Sequence, residues 1–203
     1  MSEPVSVAVL AKAPLAGFAK TRLIPVLGAD GAALLQARLI ERAVATACEA
    51  ACGPVTLWAA PDDAHPAFQA MRAQYGIALA RQGDGDLGAR MRVAIGAAPG
   101  LVIGTDCPAL TSGHLRTAAD VLRGDADAVV LPAEDGGYVL IGTRRPRPAL
   151  FERMPWSTPD VMAQTRARLR ALGLTWREPV TLWDVDVPAD LERLRESGLG
   201  ELL

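Results

Sequence analysis

Apolar positions along the chain fall into short continuous runs separated by longer amphipathic segments. Val5-Ser6-Val7-Ala8-Val9-Leu10 is apolar enough for a strand buried on both faces. Asp30 is placed to cap an Ala/Leu-rich helix from about Gly31 to Cys52, closed by Gly53-Pro54. Within that segment Leu34, Leu35, Leu39, Ala43 and Ala47 recur at helical spacing and are expected to pack on a sheet. Val55 to Ala60 predicts a second strand ended by Pro61-Asp62-Asp63, Pro66 to Tyr75 a helix, and Ile77 to Ala80 a third strand.

Gln82-Gly83-Asp84-Gly85-Asp86-Leu87-Gly88 reads as a turn leading into a helix through Ala97. Leu101-Val102-Ile103 predicts a strand that runs into Gly104-Thr105-Asp106-Cys107-Pro108. Ser112 is expected to cap a helix to about Arg123. Ala128 to Leu131 and Tyr138 to Ile141 predict two more strands, and Pro159 to Leu172 a helix stopped by Gly173. Thr175 to Val180 suits an edge strand, and the tail Asp184-Val185-Asp186-Val187-Pro188-Ala189-Asp190-Leu191 leads into a last short helix. The alternation predicts an α/β fold, a single domain over 1–203, with a parallel sheet covered by helices on both faces. Ligands bind such sheets beyond the carboxyl ends of the strands. The unusual residues all fall there, so they are expected to share one rim.

Composition narrows the function classes. The 203 residues are 50% hydrophobic and 22% charged with a net charge of -2, so no basic field argues for nucleic-acid binding. Three cysteines (Cys48, Cys52, Cys107) and two histidines (His65, His114) fit neither a disulfide framework nor a zinc site. The first apolar run stops at Lys12 and lacks a basic leader, and no stretch approaches the ~20 apolar residues of a membrane span. A cytoplasmic protein without a membrane partner is expected; oligomeric state leaves no signature in the chain.

Lys12 and Lys20 are the only lysines among 21 Lys and Arg residues, and Arg22 stands beside them. They read as point charges for a polyphosphate on a loop where Gly17 lets backbone approach an anion. The bland alternative is a solvated basic loop. A P-loop is excluded, because Pro14 and Ala19 stand where its glycines belong, and no Gly-x-Gly-x-x-Gly follows the first strand. Asp106, at the end of an apolar strand, is suited to a divalent ion that also meets phosphate oxygens, or else braces its loop. Cys107 reads as a small loop residue. Asp184 and Asp186 alternate on an extended segment, so one of them is expected to reach a metal, and Asp190 is a candidate cap. Asp135-Gly136-Gly137 is either a plain turn or a place where a ligand lies against backbone. Gln82 to Gly88 has the small residues and amide to hold a nucleobase edge. Trp156-Ser157-Thr158 is either an acceptor-pocket wall or a buried Trp with a helix cap at Thr158.

Taken together, Ala11-Lys12-Ala13-Pro14 with Gly17 and Lys20-Thr21-Arg22-Leu23, Gly104-Thr105-Asp106-Cys107-Pro108, Asp135-Gly136-Gly137-Tyr138 and Trp156-Ser157-Thr158 resemble the DUF2064 family. Its members are classed as GT-A-type glycosyltransferases, some of them named for arsenosugar biosynthesis. The resemblance runs from Val7 to Leu191. It implies the nucleotide-diphospho-sugar transferase fold, a three-layer αβα arrangement on a mixed, mostly parallel sheet. It also implies a phosphate role for the loop containing Ala11, Lys12, Gly17, Lys20 and Arg22, with Gln82, Gly83 and Gly88 near the base. By the same resemblance Asp106 and Asp186 would hold Mg²⁺ or Mn²⁺.

One departure is that Asp106 is followed by Cys107-Pro108 and not by the Asp-x-Asp common in glycosyltransferases of this fold. That feature is similar to 2-phospholactate guanylyltransferases. Three functions follow as expectations. The first is metal-dependent glycosyl transfer from a nucleotide-sugar to a small-molecule acceptor, with Lys20 and Asp106 catalytic. In it Asp135 contacts acceptor or sugar as a candidate base, and Gly136, Gly137, Tyr138, Trp156, Ser157 and Thr158 line that side. The second is nucleotidyl transfer to a phosphorylated or carboxylated acceptor with release of pyrophosphate. The third is nucleotide binding without catalysis.

Overall fold

Seven strands form one sheet in the computed structural model, which describes residues 3–96 and 99–203. They are β1 (Ser6–Lys12), β2 (Val55–Ala60), β3 (Ala78–Arg81), β4 (Gly100–Ile103), β5 (Ala128–Pro132), β6 (Tyr138–Thr143) and β7 (Trp176–Arg177), in the order β3-β2-β1-β4-β6-β5-β7. β1 pairs in parallel with β2 and β4, β2 with β3, and β5 with β7. β6 runs antiparallel to both neighbours. The short connection between β5 and β6 explains this, since a parallel return needs a crossover of a dozen or more residues. The sheet is therefore mixed and mostly parallel, and the expected three-layer α/β architecture is present.

The helices depart from the sequence expectation mainly at their ends. α1 (Ile24–Ala50) begins well before Gly31, with Pro25 in its first turn, where a missing N–H costs nothing. Gly28 (φ 72°) kinks it, so Asp30 lies within the helix and is not its cap. Ala51 in the left-handed region ends it, leaving Cys52 outside. Leu35, Leu39, Ala43 and Ala47 are buried as expected, whereas Leu34, one step around the helix, is half exposed. Residues 21–50 are long and apolar enough to cross a bilayer by length and composition alone, contrary to the expectation that no stretch is. Here the buried face of that helix lies against the sheet and the tail.

α2 (Pro66–Tyr75) matches its expected bounds, and its Phe68 is fully buried, worth ~2 kcal/mol or more of apolar transfer. α3 (Leu87–Ile95) is capped by Asp86, whose Oδ1 accepts the Ala89 N–H at 2.8 Å. Leu87 and Gly88 thus belong to the helix and not to the preceding turn; the expected end at Ala97 lies outside the described residues. α4 (Ser112–Arg123) is capped by Thr111 and not by Ser112, whose hydroxyl donates to Glu49 at 2.9 Å. α5 (Val161–Ala171) is shorter than expected, and the edge strand shrinks to two residues. α6 (Pro188–Glu196) closes the tail.

Three apolar clusters hold these layers together. One face of β1, through Val7 and Val9, packs with Ala43, Val44 and Leu115 of α1 and α4. The other, through Ala8, packs with Met91, Ile95 and Met162 of α3 and α5. The third joins Leu23, just before α1, and Leu35 and Leu39 within it to Trp183, Val185, Leu191 and Leu194 of the tail. This last cluster brings residues far apart in sequence to the same end of the sheet.

Candidate functional site

The carboxyl ends of β1, β4 and β5 and the amino end of antiparallel β6 form one rim. From β1 the chain turns through Leu15–Ala19, where Phe18 is 81% exposed, to Lys20. Lys20 is held in the left-handed region (φ 45°, ψ 46°) by a short 3-10 turn, whose Leu23 N–H bonds the Lys20 carbonyl at 2.8 Å. Its side chain is 5% exposed. The ammonium lies 2.6 Å from Asp106 Oδ1 and 3.2 Å from Asp186 Oδ1, and donates to the Val185 carbonyl at 2.6 Å. Burial depresses its pKa, but the two carboxylates outweigh that and raise it overall. The ammonium is therefore charged at every physiological pH.

Asp106 follows β4 on a loop braced from two sides. Its carbonyl accepts the Val185 N–H at 2.8 Å. Gln36 of α1, itself buried, donates to the Thr105 hydroxyl at 3.2 Å, and Arg42 donates to the Pro108 carbonyl at 2.7 Å. Gln36 was not legible as a site-supporting residue, although a polar side chain at a core-facing helical position beside Leu35 and Leu39 is the available signal. The Asp186 and Val187 N–H groups both donate to Asp190 at 2.8 Å, so Asp190 caps α6 and shapes the carboxylate tail at once.

Asp184 lies close to the same group. Burial first, then repulsion from Asp106, Asp135 and Asp186, push its pKa up to about 7, partly offset by Lys20. The tail is not a regular strand here, and of its two acids Asp186 is the one that meets the Lys20 ammonium. Burial, followed by the Asp184 charge, raises the Cys107 thiol to about 12, which makes it a poor nucleophile. Among the described residues no group of three or more His, Cys, Asp and Glu side chains forms a metal cage. The oxygen donors of Asp106 and Asp186, each nearly half exposed, suit a hard ion that completes its shell with phosphate and water.

The remaining sequence-selected residues divide in two. Lys12 and Arg22 are exposed on the opening loop, and Gly17 takes a positive φ of 82° at its tip. Asp135 is exposed, and its Oδ1 accepts the Gly137 N–H at 2.8 Å, a local turn bond that leaves the second oxygen free. Gly136 (φ 91°) lies against Pro159, where an added Cβ would come 2.7 Å from Pro159 Cα. The turn is held to the tail by the Glu134 N–H on the Leu182 carbonyl at 2.9 Å. Arg193 adds a bidentate bond to Glu134 at 2.6 and 2.9 Å while stacking on Trp183.

On the other side of the rim, packing dominates. Ala11 is buried, and its carbonyl accepts one amide N–H of Gln82 at 3.1 Å; the Trp58 carbonyl accepts the other at 2.8 Å. Gln82 thus ties β1 to β2, and only its amide oxygen is left for a base edge. Gly83 has open space around it. Gly88 is a packing position in α3, not an open turn: a Cβ there would stand 2.7 Å from Trp156 Cζ2, with the Phe151 carbonyl nearer still. Trp156 packs edge-on against Tyr138 at 6.4 Å between ring centroids, and the Tyr138 hydroxyl meets Met91 Sδ at 3.7 Å. Burial raises the Tyr138 pKa above the ordinary phenol range. Ser157 takes a positive φ of 65°, and the Thr158 hydroxyl donates to the Pro155 carbonyl at 2.7 Å. These contacts close a turn; the helix begins only at Val161, so Thr158 is not its N-cap.

A groove of about 590 Å³ lies elsewhere, between α1 and α4, lined by Arg38, Arg42, Glu49, Tyr75 and Ser112 among others. It reaches the back of the Asp106 loop through Leu110 and through Arg42, which bonds the Pro108 carbonyl.

A mixed sheet with this strand order, and its polar residues gathered at the carboxyl edge, defines the nucleotide-diphospho-sugar transferase fold. A candidate nucleotide-diphospho-sugar transferase from Desulfovibrio desulfuricans superimposes with a TM-score of 0.83 at 27% identity, over 100% of this chain and 94% of that one. A 4-diphosphocytidyl-2C-methyl-D-erythritol synthase from Anaerococcus prevotii (TM-score 0.58, 13% identity, 96% of each chain) shares the fold. So does a cytidylyltransferase from Leptospira borgpetersenii (0.56, 16%, 94% of this chain and 84% of that one). No curated protein matches the sequence. The chain belongs to the family described as "uncharacterized protein conserved in bacteria (DUF2064)", whose sequence profile matches residues 43–158. That span holds Asp106, the Asp135–Tyr138 turn and Trp156–Thr158; the opening loop and the tail lie outside it.

Proposed function

We propose that this protein is a Mg²⁺- or Mn²⁺-dependent glycosyltransferase that moves a sugar from a nucleoside-diphosphate donor to a small-molecule acceptor. The observation that carries the reading is the contact of Lys20 with Asp106 and Asp186 at the carboxyl edge of the sheet. The D. desulfuricans structure, similar over the whole chain, bears a name for the same donor class and supports that choice.

Asp106 and Asp186 already engage the one buried ammonium, so a diphosphate entering the rim needs further positive charge. Lys12 and Arg22 offer two cations on the exposed loop. A divalent ion, held by the oxygens of Asp106 and Asp186, would neutralise the departing diphosphate. Lys20 and Arg22 orient the diphosphate, and Gly17 lets the loop backbone lie close to it. Asp135, with one oxygen fixed by Gly137, presents the other to a sugar or acceptor hydroxyl and is the candidate base. Tyr138 and Trp156 back that side as a rigid wall. The proposed setting is cytoplasmic, in keeping with three free cysteines. No nucleic acid or membrane enters the scheme.

A second reading, nucleotidyl transfer, is favoured by one observation. The carboxylate beside Asp106 comes from the distant Asp186, because Cys107-Pro108 stands where an Asp-x-Asp would place its second acid. The same lysine and carboxylates would then align a nucleoside triphosphate for attack at its α-phosphate, with pyrophosphate leaving.

Product analysis separates the two readings. With Mn²⁺, a panel of nucleotide-sugars and nucleoside triphosphates, and acceptor extracts, the proposal expects slow release of a nucleoside diphosphate from one nucleotide-sugar. Pyrophosphate released from a triphosphate would replace it with the second reading. Tight nucleotide binding without turnover, unaffected by Asp106→Ala, would make the protein a binder.

A further inference from the structure

The Lys20 ammonium has three N–H donors and three acceptors in place: Asp106 Oδ1, Asp186 Oδ1 and the Val185 carbonyl, at 2.6, 3.2 and 2.6 Å. None of the three is a ligand. The side chain is 5% exposed, while the two carboxylates it joins are 48% and 44% exposed. The ammonium therefore sits beneath the carboxylates, as the cation that keeps them together. Its backbone is fixed by the 3-10 turn that follows, so any change of partner must come from the side chain.

We infer that Lys20 is a resident cation that competes with a free divalent ion for Asp106 and Asp186, so that the ion enters with the nucleotide and not before it. This rests on the reading of the rim as a metal-assisted nucleotide site. Lys20 already satisfies much of the charge of both carboxylates, and a second cation placed beside the ammonium is repelled. A nucleotide changes that balance, since its phosphates offer the ammonium a new acceptor and add negative charge. Lys20 then passes from the carboxylates to the phosphates, freeing carboxylate oxygens for the ion. A lysine that served phosphate alone would leave Asp106 and Asp186 open to the metal in the free protein.

The test is Mn²⁺ binding measured by electron paramagnetic resonance of the free ion, without substrate turnover. Wild type, Lys20→Met, Lys20→Gln and Lys20→Arg are titrated alone and with each of ADP, CDP, GDP and UDP. Wild type alone is expected to bind Mn²⁺ weakly, Lys20→Met and Lys20→Gln at least about tenfold more tightly, and Lys20→Arg like wild type. Adding Asp106→Asn to Lys20→Met should remove the gain. Folded Lys20→Met or Lys20→Gln protein, checked by circular dichroism, that binds Mn²⁺ no more tightly than wild type overturns the inference. Failure of every diphosphate to bind wild type, with or without Mn²⁺, overturns the functional reading, while the metal-only comparison still decides the role of Lys20.

Discussion

The two sides of the rim are built by different physics. On one side Lys20, Asp106 and Asp186 come from segments up to 166 residues apart and meet through charge and single hydrogen bonds, with the two carboxylates nearly half open to solvent. On the other, Gly88, Tyr138 and Trp156 meet through van der Waals contact, and glycine is needed for the backbone to come that close. Charged groups held half-open can change partners at little cost, whereas close-packed rings cannot. The first side is thus suited to exchanging cations and phosphates, the second to holding one shape. Substitutions on the two sides should fail in different assays.

The largest expected effect is on the charged side. Asp106→Asn should lower turnover by about 10²–10³-fold or more while leaving thermal unfolding within a few degrees of wild type. A fall in turnover matched by global unfolding would instead assign Asp106 a structural role. On the packed side Gly88→Val should do the opposite, costing about 2–3 kcal/mol by forcing Trp156 and the Phe151 carbonyl away. Urea denaturation reads this directly, and an unchanged midpoint would contradict the packing account.

A subtler contrast concerns Asp184. Its pKa is raised from an ordinary 3.8 to about 7 in the fold. Between those values the native state holds a proton that the unfolded chain has released. Stability contributed by this group is therefore complete below about pH 4 and lost as pH rises through 7. In metal-free protein, Asp184→Asn should stabilise by on the order of 2 kcal/mol at pH 8 and by little near pH 4. Denaturation midpoints at both pH values check it; equal effects would mean that neither burial nor the neighbouring carboxylates raise the Asp184 pKa. The smallest effect is expected at Arg193, whose exposed clamp on Glu134 joins the Asp135 turn to the tail. Arg193→Ala should raise the acceptor KM more than it lowers kcat, and identical kinetics would remove the clamp from the account.

The sequence was most informative where a residue type was rare or a pattern local. Lys20 stands out as one of two lysines, Asp106 as a carboxylate ending an apolar strand, and the strand–helix alternation carries most of the sheet. The pairing of Lys20 with Asp186 was not legible, because it depends on the apolar cluster that seats Val185 and Leu191 beside α1. Gly88 was misplaced for a local reason: Asp86 caps a helix there, and a cap followed by glycine has the composition of a turn. Gln82 has the chemistry to read a base, yet its N–H groups are claimed by two strand-end carbonyls that only the assembled sheet brings near. The inverted β6 follows from the shortness of one connection, a length visible in the chain but easily outweighed by the parallel pattern before it.

The central claim is that nucleotide phosphates are met by the charged side of the rim through Lys20. Calorimetric titration of a nucleoside diphosphate with Mn²⁺ into wild type, Lys20→Ala and Arg195→Ala tests it most directly. The account predicts wild-type affinity for Arg195→Ala and a loss of at least tenfold for Lys20→Ala. Equal affinities for all three proteins would contradict it.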